Sequence, residues 1–155
     1  MSKVDLSVKI GSLRLRNPIM LASGTVGYGN EISEFSNLNQ LGAIVTKSLS
    51  LKPRKGNPPQ RIVETPAGML NAIGLANVGV DEFLKEKIPF LKKYDVPLIC
   101  NIAASTVEEY VECTRILDSE ETIKAFEINV SCPNVKDGGL QFGNDKNAVG
   151  NVTAK

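Results

Sequence analysis

The chain has 155 residues, 42% of them hydrophobic, and its 18 basic and 17 acidic side chains leave a formal charge of +1. That length buries one ordinary core, and the near-neutral charge, without a run of about five like charges, excludes the electrostatic footprint of a nucleic-acid or membrane-surface binder. Histidine is absent, which excludes Ser-His and Cys-His nucleophile pairs and His-ligated metals within the chain, so a general base must be Cys, Lys, Tyr, Asp or Glu and no metal site is expected.

No stretch of the sequence approaches the roughly 20 apolar residues of a spanning helix. The opening MSKVDLSVKI lacks the apolar centre of a signal peptide, so a cytoplasmic protein is expected. Cys100, Cys113 and Cys132 form no C-x-x-C pair, which argues against a disulfide framework or zinc knuckle. Cys100 and Cys113 read as plain buried thiols.

In chain order, Val4 to Ile10 and Leu13 to Leu15, across Gly11-Ser12, predict a small antiparallel hairpin closing the bottom of a larger structure. Four near-continuous apolar runs follow: Ile19 to Ala22, Ala43 to Thr46, Pro97 to Ile102 and Ala125 to Val130. Such runs are the mark of parallel strands covered on both faces. Val80, Phe83, Leu84, Ile88 and Leu91 predict one helical face, which Pro89 should kink or interrupt. Val107, Tyr110, Val111, Thr114 and Leu117 predict another, opened by a Ser105-x-x-Glu108 capping box. Between Leu49 and Asn77, four prolines and three glycines forbid a regular crossover helix. A lid or binding excursion is expected there.

Parallel α/β folds bind ligands beyond the carboxyl ends of their strands. Here those ends read Ala22-Ser23-Gly24-Thr25, Thr46-Lys47-Ser48, Asn101, and Asn129 followed by Ser131-Cys132-Pro133-Asn134. A lysine ending one strand is by itself a solvated rim residue. Four polar ends together suit a flat heterocycle: small residues admit a planar ligand, the lysine supplies charge and the amides supply paired donors and acceptors. Lys47-Ser48 lacks the glycines of a P-loop, and Gly24, Gly27 and Gly29 lack dinucleotide-fingerprint spacing, leaving turns or a partial anion nest.

These segments, with Asn71-Ala72-Ile73-Gly74-Leu75-Ala76-Asn77, resemble in order and spacing the signatures of class 1 dihydroorotate dehydrogenases across essentially the whole chain. Lys52-Pro53-Arg54-x-Gly56-Asn57-Pro58 leading into Glu64-Thr65-Pro66 looks like the NAD-linked class 1B catalytic subunit. Ala76 stands where relatives commonly carry a larger polar residue or proline. The resemblance implies a (β/α)8 TIM barrel, typically about 250 residues long. Residues 1 to 155 would supply the N-terminal half of that single FMN-binding domain: about four β/α units plus the hairpin. The later strands, whose loops commonly grip phosphate, would come from a C-terminal half.

The resemblance further implies that Ala22, Ser23, Lys47, Ser48, Asn101 and Asn129 hold FMN. Lys47, Asn71, Ile73, Gly74, Leu75, Asn129 and Asn134 would hold dihydroorotate or orotate, with Cys132 as catalytic base. The implied reaction, in pyrimidine biosynthesis, removes a proton from C5 and a hydride from C6, with NAD as final acceptor. FAD and a 2Fe-2S cluster would sit on an electron-transfer subunit in a heterotetramer. Two alternatives stay open: another FMN barrel oxidoreductase acting on a pyrimidine, and an inactive half-barrel binding module.

Overall fold

The computed structural model describes residues 4–130 and 142–155. Its first element is the expected hairpin, β1 (Val8–Ile10) and β2 (Leu13–Leu15), antiparallel with Val8 opposite Leu15. Gly11 takes the turn at φ 57°, where a side chain would be strained. Leu15 is only 1% exposed and packs with Ala43, Val45 and Ile99. The hairpin therefore seals one end of the main sheet, as its apolar positions require.

That sheet is four parallel strands whose spatial order follows the chain: β3 (Met20–Leu21), β4 (Ala43–Val45), β7 (Leu98–Ile102) and β8 (Ile123–Ile128). All four expected runs form strands, the first three shortened at their ends and the fourth shifted two residues toward the N-terminus. Strand alternation sorts their side chains. Ile44, Leu98, Cys100 and Ile102 join the helices in one core with Phe83, Tyr110 and Leu117, while Ala43, Val45 and Ile99 meet Leu15 on the other face. The second face is the inner one, and each apolar pair there is followed along its strand by a polar end. Sheet order and layering are those of the first half of a (β/α)8 barrel.

The connections depart from four regular β/α units. Between β3 and β4 the only helix is a 3-10 turn at Leu38–Gln40, because Gly24, Gly27 and Gly29 all adopt positive φ and cannot continue a right-handed helix. The excursion from residue 49 to 77 lacks a crossover helix, as expected, but contains an unanticipated antiparallel hairpin, β5 (Ile62–Thr65) and β6 (Gly68–Asn71). Both strands are exposed throughout, so burial imposed no alternating pattern to read.

The helical rod after the excursion comprises α1 (Gly79–Glu82), a widened π turn (Phe83–Lys87) and α2 (Ile88–Leu91). The interruption attributed to Pro89 takes the form of that π turn: Ile88 N–H donates to Phe83 O, five residues back, just where proline offers no donor to the regular ladder. Helix α3 (Val107–Asp118) starts one residue later than the Ser105-x-x-Glu108 box predicts. Thr106, in extended backbone, is the cap: its hydroxyl accepts from Glu109 N–H at 3.2 Å, while the Glu109 carboxylate accepts from Ser105 N–H at 2.8 Å. The buried face of α3 is Tyr110, Cys113 and Leu117, and Val111, expected on that face, is exposed. Helix α4 (Lys146–Thr153), capped by Asp145, was not anticipated. Among the described residues no helix is long and apolar enough to cross a membrane.

Leu15→Ala should destabilise the intact protein by about 2 to 5 kcal/mol, since no neighbouring strand can close the void beneath the inner face. Equilibrium urea unfolding of the two proteins measures the difference.

Candidate active site

Above the apolar inner layer, the carboxyl ends of the strands and the excursion enclose a cavity of about 540 Å³. The loop after β3 contributes Ser23, Gly24 and Thr25, the end of β4 contributes Lys47 and Ser48, and β8 runs into Asn129. The excursion supplies Asn71, Ile73 and Leu75, with Ile62 and Met69 from its hairpin.

Consecutive residues of a regular strand face opposite ways, yet Lys47 and Ser48 both line the cavity. The ladder explains this. Thr46 N–H donates to Ile99 O at 3.0 Å, and the next bond to β7 comes from Leu49 N–H to Asn101 O at 2.8 Å. Three steps on one strand therefore match two on its neighbour. The extra residue is a bulge that turns both side chains toward the site. Leu49 N–H thus takes the place at Asn101 O that Ser48 N–H would hold in a regular ladder, and Lys47 N–H, on the other side of the strand, donates to Gly27 O at 2.8 Å. The Lys47 ammonium makes no ion pair among the described residues. Asn129 Nδ2 donates to Ser48 Oγ at 3.2 Å, and Tyr110 Oη donates to Asn129 O at 2.6 Å, fixing the end of β8.

The excursion wall is held from behind. Asn57 Nδ2 donates to Ala72 O at 2.9 Å and Asn57 N–H donates to Ile73 O at 3.1 Å. Gly74 sits at φ 73°, and a Cβ there would lie 2.8 Å from Asn57 Cγ. Leu75, a non-glycine residue at φ 55°, is fixed by Asn77 Nδ2 donating to Leu75 O at 2.8 Å. Asn77 also ties the wall to its base, its Oδ1 accepting from Ser50 N–H at 3.2 Å and Gly79 N–H at 2.9 Å. Strained backbone of this kind persists only where the surroundings over-determine it.

Of the residues predicted from sequence, Ser23, Lys47, Ser48, Asn71, Ile73, Leu75 and Asn129 share this one cavity. Ala22 is outside its lining, with Ala22 O accepting from Thr25 Oγ1 at 2.7 Å. Gly74 backs the wall against Asn57. Asn101 is buried at 3% exposure and outside the lining; its Nδ2 donates to Glu127, and its Oδ1 is covered and without a partner. Cys132 and Asn134 lie outside the described residues. Sequence reasoning missed Ile62, Met69 and Glu127. The first two belong to the unread hairpin, while period-2 counting back from Asn129 would have put Glu127 on the inner face.

The profile of the dihydroorotate dehydrogenase family matches residues 5–155. The dihydroorotate dehydrogenase B (NAD(+)) catalytic subunit of Geotalea daltonii is 56% identical over 152 residues, covering 98% of this chain and 50% of that protein. Its counterpart in Geobacter sulfurreducens is 57% identical over 152 residues, with the same 98% and 50% coverage. The chain thus spans about half the length of these curated relatives. A solved DHODH from Eimeria tenella, in complex with ferulenol, matches with a TM-score of 0.73 at 22% identity, over 97% of this chain and 43% of that one. At that identity the likeness concerns the fold.

The two described cysteines are built for packing. Burial pushes the Cys100 thiol from its ordinary 9.0 up to about 12, opposed by a hydrogen bond with Thr46. Burial pushes Cys113 up to about 11, helped by the Glu109 and Glu112 charges and opposed by Arg54. Both folded values exceed the unfolded one, so their stabilising contribution is complete below pH 9 and is lost as pH rises toward 11 to 12. Native protein treated with iodoacetamide at neutral pH should leave Cys100 and Cys113 unmodified by peptide mass mapping, and stability to urea should fall as pH climbs above 9.

Proposed function

Because this chain belongs to the dihydroorotate dehydrogenase family, we propose that it serves the oxidation of dihydroorotate to orotate in pyrimidine biosynthesis, as the N-terminal half of a class 1B, NAD-linked catalytic barrel that uses FMN. One observation carries the reading. The segments Ser23-Gly24-Thr25, Lys47-Ser48, Asn71 to Leu75 and Asn129, far apart in sequence, converge on a single cavity at the carboxyl ends of parallel strands. The relatives' names, catalytic subunits linked to NAD(+), support a cytoplasmic complex with an electron-transfer subunit carrying FAD and a 2Fe-2S cluster. Among the described residues, the sheet's outer strands, β3 and β8, each have a neighbour on one side only. A C-terminal half of the barrel would pair both edges.

The donor set fits FMN. Gly24, at φ 79° with open space where a side chain would project, admits a planar ring close to the backbone. The Lys47 ammonium has no ion-pair partner among the described residues, and the buried Asn101 Oδ1 lacks a donor. Ser23, Lys47, Ser48, Asn101 and Asn129 would hold the flavin with the backbone at Ala22, and FMN would supply the hydride acceptor for C6. Lys47, Asn71 and Asn129 would bind the substrate's polar edge with Asn134 and stabilise negative charge developing on its carbonyls. Ile62, Met69, Ile73 and Leu75 would form the apolar side of the cavity and exclude water. Cys132, as thiolate, would take the proton from C5.

The intact protein should be yellow and bleach anaerobically on addition of dihydroorotate. Cys132→Ala should slow that bleaching about 10² to 10⁴-fold in stopped flow while orotate affinity stays within a few-fold. A colourless preparation that takes up no added FMN overturns the flavoenzyme reading, and an unchanged rate removes Cys132 from the mechanism.

Lys47→Ala should lower both FMN retention and turnover, each by roughly 10 to 100-fold, the loss of a charge-assisted contact. Wild-type flavin content together with wild-type kinetics would make Lys47 a solvated rim residue.

A further inference from the structure

Beneath the cavity, the inner face carries a carboxylate that the mechanism above leaves without a task. Glu127 stands on β8 directly opposite Asn101 of β7 in the strand register, and its Oε1 accepts a hydrogen bond from Asn101 Nδ2. The rest of Asn101 is equally constrained. Its N–H donates to Thr46 Oγ1 at 3.2 Å, and its main-chain oxygen accepts from Leu49 N–H at 2.8 Å across the Lys47-Ser48 bulge. Only Oδ1 has no partner, although it is covered from water.

The Glu127 oxygen acts here as an acceptor, so what faces it is the amide nitrogen. Asparagine's final torsion is broad and nearly two-fold, and nothing else on Asn101 distinguishes the two amide orientations. Glu127 therefore decides which end of the amide is left over. The end left over is the carbonyl, an acceptor that is costly to leave unmet in a buried position. Nδ2 is turned toward β8, and Oδ1 is turned away from it. On the other side of β7 lies β4, whose Lys47 lines the cavity.

We propose that Glu127 is a positioning residue of this site: it holds the Asn101 amide so that Oδ1 is the acceptor offered to a ring N–H of the planar heterocycle bound above. The proposal rests on the reading of Asn101 as a flavin contact. It assigns to Glu127 no contact with substrate or flavin; Glu127 acts through Asn101.

The test compares Glu127→Met, which keeps bulk and removes the acceptor, with Glu127→Gln, which keeps one acceptor oxygen, in wild-type and Asn101→Ala backgrounds of the intact protein. FMN dissociation constants come from fluorescence titration of the apoprotein, and the midpoint potential of bound flavin from anaerobic dye equilibration. E127M should weaken FMN about tenfold or more and shift the potential, the effect of losing an oriented hydrogen bond near the ring. E127Q should stay within a few-fold of wild type, and E127M should add nothing once Asn101 is alanine. Equal losses from E127M with and without Asn101, or a wild-type affinity and potential in E127M while N101A is weakened, overturn the role of Glu127 alone. Unchanged FMN binding in N101A removes the flavin contact on which the proposal stands. Where E127M does not fold, E127Q decides: a tenfold loss despite its retained acceptor overturns the proposal.

Discussion

A parallel strand buried on both sides must send successive side chains to opposite faces, and the rest of this structure depends on that constraint. Ile44, Cys100 and Ile102 meet the helices, while Ala43, Val45 and Ile99 meet Leu15 beneath the inner face. Once those positions are assigned, Asn101 can only be an inner-face residue, and Glu127 follows from its register opposite Asn101. The polar site rests on an apolar layer because both are read from the same alternation.

The constraint is broken at one place, and the break is functional in form. A regular continuation of β4 would turn Ser48 toward the helices. The bulge between Thr46 and Leu49 adds one residue and points both the Lys47 and Ser48 side chains into the cavity, while Lys47 N–H bonds Gly27 O on the strand's other side. The glycine loop is thereby coupled to the strand it crosses. The Glu31 carboxylate lies where a Cβ on Gly27 would project, and it accepts from Tyr28 N–H at 3.1 Å. The end of β4 and the glycine loop thus share one local geometry.

The excursion is ordered by polar side chains where the strands are ordered by burial. Asn57 and Asn77 between them bond the backbone of residues 72, 73 and 75, and Arg54 and Asn77 exchange main-chain hydrogen bonds of 3.0 and 2.9 Å at its base. Arg54 also donates to Ser105 Oγ at 3.0 Å, tying that base to the segment before α3. A loop with little apolar area to bury holds Leu75 in left-handed backbone because so many of its main-chain groups are already spoken for.

Sequence alone determined the elements that burial writes into a chain. The four parallel strands, the closing hairpin, the helix-free excursion and the polar strand ends were all legible, because covered strands must be apolar and glycine and proline forbid helix. Seven of the predicted site residues line one cavity: Ser23, Lys47, Ser48 and Asn129 were legible as polar strand ends, and Asn71, Ile73 and Leu75 came from the family resemblance. Tertiary structure decided what no local pattern carries. The β5–β6 hairpin is exposed on both faces and leaves no alternation, and the α3 cap moved one residue because the Thr106 hydroxyl accepts from Glu109 N–H while the Ser105 hydroxyl accepts from Arg54. The bulge at Lys47 and the pairing of Asn101 with Glu127 depend on register between strands dozens of residues apart. Register is a property of neighbouring chains in space, so it becomes visible only when the sheet has formed.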